Sequence, residues 1–122
     1  MAKNKIYTNN HLTIEIFEDD DTIRAVWSGK SIEREPAEFI APILNGIIKS
    51  SSYKNKLVEL DFQKLAYMNS STITPIIKVL ERGKRGSARI TVLFDKKLKW
   101  QDLNFSALSI FKTEDDRIKI EG

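Results

Sequence analysis

The chain has 122 residues, of which 41% are hydrophobic and 30% charged, with a formal net charge of +3. That is enough apolar material for one core at the usual length of one domain, expected over 1–122 with its core at about 6–121. No apolar run approaches the roughly 20 residues of a membrane-spanning helix. The absence of cysteine excludes disulfides, thiol nucleophiles and thiolate metal sites. The start, Met-Ala-Lys-Asn-Lys, lacks the apolar stretch of a signal peptide, so a cytoplasmic protein is expected.

The first strand-like segment is HLTIEIF (11–17), in which Leu12, Ile14 and Ile16 share one side. TIRAVWS (22–28) repeats the pattern with Ile23, Ala25 and Trp27; such period-two alternation marks half-buried strands. The acidic EDDD (18–21) between them reads as a hairpin turn. Pro36 suits the first turn of a helix, where its missing N–H is not needed. Phe39, Ile40, Ile43, Leu44, Ile47 and Ile48 then recur at helical spacing, with Pro42 and Gly46 expected to interrupt or bend the helix. SSSYKNK (50–56) reads as a loop.

KLVELDF (56–62) places Val58, Leu60 and Phe62 on one face of a strand, and Glu59 and Asp61 on an outward or sheet-end side. Ile73, Ile76, Ile77 and Leu80 form one helical stripe, ended by Gly83 and Gly86. ARITVLF (88–94) is almost wholly apolar and β-branched, as in a strand covered on both faces. Trp100, Leu103, Ala107 and Ile110 are again at helical spacing, and RIKI (117–120) reads as a last strand. Trp100, Phe105 and Phe111 are read as core or edge packing. The order β-β-α-β-α-β-α-β implies an α/β domain with a mixed sheet and helices packed on it.

Familiar catalytic patterns fail. SGKS (28–31) lacks the glycine five residues before Gly29 that a phosphate loop requires, because Arg24 stands there. RGKRGS has two glycines and closes a helix, whereas a dinucleotide fingerprint has three and opens one. His11 is the only histidine, so Ser70 and Ser71 have no other imidazole to activate them and no zinc set is at hand. The expectation is no enzyme, no metal and no cofactor. The basic cluster Lys78, Arg82, Lys84, Arg85 and Arg89 has no interleaved aromatics, and it reads as a solvated helix end rather than a nucleic-acid surface.

What remains is LAYMNSSTITP (65–75). Asn69, Ser70, Ser71 and Thr72 lie between the end of a strand and the start of a helix, a place where ligands and partners act in open α/β sheets. One such residue suffices as a helix cap. Pro75 belongs in a first turn, so regular helix is expected near Thr72, with the cap toward that residue and Asn69, Ser70 and Ser71 in an exposed loop.

The segment LVELDFQKLAYMNSSTITPIIKVLERGKRGSARITVLF resembles the central part of the STAS domain, the fold of bacterial anti-sigma-factor antagonists. That family has a strand, an Asp-Ser-Ser/Thr-Gly loop, an amphipathic helix and a further strand, and the element order matches over about residues 6–121. The resemblance implies a regulatory module that binds an anti-sigma-factor serine kinase, is phosphorylated on the loop hydroxyl and is reset by a phosphatase. By position Ser70 matches the phosphorylated serine, Ser71 the second hydroxyl and Asn69 the preceding aspartate; Thr72 replaces the usual glycine. Asn69 to Thr72 are thus the expected switch loop and partner surface, with no nucleic-acid or membrane partner. Two other readings stay open: a STAS-like interaction scaffold that is never phosphorylated, and a small-molecule or nucleotide binder. The partner, the regulated process and the oligomeric state are not readable from the sequence.

Overall fold

The computed structural model describes residues 3–122, so Met1 and Ala2, which carry part of the N-terminal reading, lie outside the described residues. One six-stranded sheet runs in chain order: β1 (Lys3–Asn9), β2 (Leu12–Glu18), β3 (Thr22–Ser31), β4 (Leu57–Met68), β5 (Arg89–Leu93) and β6 (Ile118–Glu121). The first three strands pair antiparallel; β3 to β6 pair parallel. The helices α1 (Ala37–Lys54), α2 (Ile73–Arg85) and α3 (Lys99–Ser106) supply the crossovers that parallel neighbours require.

The expected mixed α/β architecture is present, with one strand added in front. The edge strand β1 was invisible to periodicity because Asn4, Lys5, Ile6, Tyr7 and Thr8 are all exposed, so neither face selects apolar residues. The EDDD turn forms through Asp19, whose Oδ1 accepts from the backbone N–H groups of Asp21 and Thr22.

One face of the sheet is apolar throughout: Ile14, Ile23, Ala25, Trp27, Val58, Leu60, Phe62, Ile90, Val92 and Ile118 are all buried. Helix α1 adds Ile40, Leu44 and Ile47, α2 adds Ile76, Val79 and Leu80, and α3 adds Phe105, all within the same core. An aromatic stack docks α3, with the Phe105 ring centroid 4.5 Å from Phe62 and Phe62 4.8 Å from Trp27. Gly83 sits inside α2 rather than ending it; a Cβ there would come within 2.7 Å of Ile90, so the glycine lets the helix lie close on the sheet. The helix ends at Gly86, and the Arg117 guanidinium donates to the carbonyls of Gly83, Lys84 and Ala88. That cation complements the negative end of the helix.

Other expectations are corrected. Helix α1 is continuous through Pro42 and Gly46 and runs on to Lys54, so SSSYKNK is mostly helix. Ser51 is buried with its hydroxyl donating to Ile48 O, and Asn55 in the left-handed region (φ 56) stops the helix. In α3 and the 3-10 turn that follows it (Ala107–Phe111) only Trp100 of the expected stripe packs against the core: Leu103 is 76% and Ile110 74% exposed, while Gln101, Phe105 and Leu108 are buried. Strand β5 is central, with Ile90 and Val92 buried beneath the helices and, on the other side, Thr91 buried and Leu93 half-buried. Asp61 is not solvated: it is buried and pairs with Arg24 at 2.5 Å, an ion pair that also raises the Arg24 pKa.

Candidate functional site: the loop between the fourth strand and the second helix

Strand β4 delivers the loop, and its end is firmly held. Its ladder with β3 shifts register near Ser28 and again at Gly29–Lys30. Gly29 makes the second shift possible: its φ is +84°, and a Cβ would lie 2.1 Å from the His11 carbonyl oxygen. That carbonyl accepts from Lys30 N at 2.8 Å. On the other side the fully buried Gln101 donates to the carbonyls of Phe62 (2.7 Å) and Leu65 (3.0 Å), and accepts from Asp95 N (2.7 Å). One side chain thereby satisfies two carbonyls of β4 beyond its last pairing with β5, Asp61 with Leu93, and one N–H just after β5. Pattern reading missed Gln101 because a polar residue on a helix ordinarily marks the solvent side.

The parallel ladder runs to Ser31 opposite Met68 and continues as Asn69 N donating to Ser31 O at 2.9 Å. Asn69 is extended (φ −79°, ψ 167°) and opens a single 3-10 turn, Ser70–Thr72, directly ahead of α2. Its Oδ1 accepts from Thr72 N (3.2 Å) and from the Thr72 hydroxyl (2.7 Å), and its Nδ2 donates to Glu33 O (2.8 Å). The Thr72 hydroxyl has one proton, committed to Asn69; the Ser31 hydroxyl, 2.7 Å away, therefore donates to Thr72 Oγ1. Ser31 and Thr72 are buried, at 2% and 0% exposure.

Regular helix starts one residue after Thr72, and the side-chain cap is Asn69 rather than Thr72. Pro75 falls at the third residue of α2 and is buried, as a first-turn proline can be. The four polar residues thus divide into two pairs. Asn69 and Thr72 face inward and fasten the loop to the β3–α1 connection. Ser70 and Ser71 are exposed beside a helix N-terminus, where backbone N–H groups favour an anion. Ser31 and the Glu33 carbonyl were missed, because nothing local in SGKSIERE distinguishes a hydroxyl that meets a residue 41 positions later.

Elsewhere the chemistry is spare. Among the described residues no group of three or more His, Cys, Asp or Glu could hold a metal ion, and no helix is long and apolar enough to cross a membrane. His11 is exposed in the β1–β2 turn. The acidic EDD (114–116) forms a turn in which Asp115 pairs with Arg117 at 3.1 Å.

No protein-family model and no curated protein sequence matches the chain. Solved structures do. An anti-sigma factor antagonist from Mycobacterium paratuberculosis superposes with a TM-score of 0.62 at 15% identity, covering 90% of this chain and 93% of its own. An uncharacterized DUF3478-family protein with a SpoIIAA-like fold, from Shewanella loihica, gives 0.52 at 13% identity, covering 97% and 91%. The order of the strands, the crossover helices and these superpositions together give the chain the STAS, or SpoIIAA-like, fold of the anti-sigma factor antagonists.

Proposed function

We propose that this protein is a cytoplasmic regulatory protein-binding module rather than an enzyme, switched by phosphorylation of Ser70, with Ser71 as the second candidate. The observation that supports it is the division within the loop: Asn69 and Thr72 are fastened inside, while two adjacent hydroxyls are presented at a helix N-terminus. A phosphoserine carries about −1.5 to −2 charges. The amide groups and dipole at the start of α2 accommodate that charge, so the fold survives while the surface read by a partner changes sign. The exposed residues Ser70, Ser71, Thr74 and Lys78 extend this surface along α2. On this reading the partners are an anti-sigma-factor-like serine kinase and an opposing phosphatase.

The test is affinity purification from the native cell, with mass spectrometry reading partners and loop modification together, repeated with Ser70→Asp and Ser70→Ala. The expected result is phosphate on Ser70 or Ser71 in one physiological state, and a partner retained by Ser70→Ala and lost by Ser70→Asp. An unmodified loop under all conditions, with full function in the Ser70→Ala, Ser71→Ala double variant, overturns it and leaves an unphosphorylated scaffold.

A further inference from the structure

Helix α1 contains two poor helix formers, Pro42 and Gly46, four residues apart, and both border the same groove. The groove has a volume of about 440 Å³ and lies between α1 and the strands β1, β2 and β3. Its apolar walls come from Ile16, Ile23, Ile43 and Ile47, with the Tyr7 ring at the edge strand. That volume is in the range of small-ligand pockets. Packing does not demand the glycine: Gly46 is exposed, and a Cβ built on it meets nothing within 4 Å. A glycine inside a helix costs roughly 1 kcal/mol relative to alanine. Here that cost maintains open space over an isoleucine-lined floor.

The polar groups at the groove fix the kind of molecule that fits. Lys5, Glu18 and Lys54 line it. Glu18 is committed, pairing with Lys54 at 2.8 Å and Lys56 at 2.9 Å. Lys5 is exposed and makes no ion pair among the described residues. The groove lining thus carries two ammonium groups, Lys5 and Lys54, against the one carboxylate of Glu18, an excess of positive charge beside an apolar trough. An uncharged apolar molecule would leave Lys5 without a partner, and a wholly polar anion would leave the isoleucines wet. A molecule with an apolar chain and an anionic head satisfies both.

We propose that this groove binds a free aliphatic carboxylate, with the chain along Ile16, Ile23, Ile43 and Ile47 and the head at Lys5. The site shares no residue with the Asn69–Thr72 loop and stands independently of the switch reading. The probe is decanoate below its micelle concentration, with decanol as the neutral analogue. Backbone amide chemical shifts of Gly46 and Ile47 and the thermal midpoint are followed together. Decanoate is expected to give saturable shifts confined to the groove and a dose-dependent rise in midpoint. Gly46→Leu fills the open space with a better helix former, so it is expected to fold at least as stably as the parent and lose binding. Lys5→Gln is expected to weaken decanoate by roughly fivefold without affecting decanol. Decanol binding as tightly as decanoate overturns the anionic head. Undiminished binding by Gly46→Leu, no saturable shift, or association only with anionic phospholipid vesicles overturns the site.

Discussion

Replacing Asn69 by aspartate should destabilise this protein. The carboxylate would keep the bonds that Asn69 Oδ1 accepts from Thr72 N and the Thr72 hydroxyl, and its charge at the start of α2 would contribute about 0.3–1 kcal/mol. It cannot replace the third bond. Asn69 Nδ2 donates to Glu33 O at 2.8 Å, and a carboxylate sets oxygen against oxygen there. Losing the donor to a partly buried carbonyl costs about 1–3 kcal/mol before repulsion is counted. The balance is a net loss of about 1–2 kcal/mol. With a urea slope of roughly 1–3 kcal/mol per molar, the unfolding midpoint should fall by roughly 0.3–2 M. The deficit should be largest near neutral pH and shrink on acidification: a protonated carboxyl can donate to Glu33 O, so its folded-state pKa is raised and the penalty belongs to the ionised form. Asn69→Ser keeps the cap and removes only the tether, which isolates the same contact. An Asn69→Asp protein that unfolds at or above the parent midpoint at pH 7 would refute the role given to the Glu33 carbonyl.

Of three further predictions, two concern the frame that holds the loop and one the ion pair at the far end of α1. Gln101→Leu leaves the Phe62 and Leu65 carbonyls and Asp95 N–H without their partner, and should cost about 2–4 kcal/mol by denaturant unfolding; a loss below about 1 kcal/mol would show that water replaces the amide. Gly29→Ala meets both the positive φ and the His11 carbonyl and should cost at least about 2 kcal/mol, with lost amide-exchange protection along β3; unchanged protection would contradict the bulge argument. Glu18 is held at a pKa of about 2 by the Lys54 ammonium first and Lys56 second, against 4.5 for the free side chain. Its folded pKa is depressed, so its stabilisation is present above about pH 4.5 and lost as pH falls through 2. Discounted for solvent screening, that is about 1–2 kcal/mol. The stability difference between the parent and Glu18→Gln should therefore be flat above pH 5 and close toward pH 2; a difference independent of pH would rule out the linkage.

The alternation of Leu12, Ile14, Ile23, Ala25, Trp27, Val58, Leu60 and Phe62 by itself determined which sheet face meets the helices, because a two-residue period cannot place such a set elsewhere. The helical spacing after Thr72, with Pro75 confined to the first turn, located the start of α2 to within a residue. The polar run that ends β4 marked the loop. Features whose partners are distant in sequence were decided only by tertiary structure. Edge strand β1 has no buried face to pattern it, and α3 turns Gln101 inward because β4 backbone beyond its pairing with β5 needs a partner there. Asp61 reads as a surface carboxylate until Arg24, 37 residues earlier, is brought beside it. The loop shows the same limit most sharply: its composition names four candidate hydroxyl or amide groups, but Ser31 and the Glu33 carbonyl select two for the interior. A sequence records which groups can hydrogen-bond. Which of them remain free for a partner depends on what the fold sets opposite them.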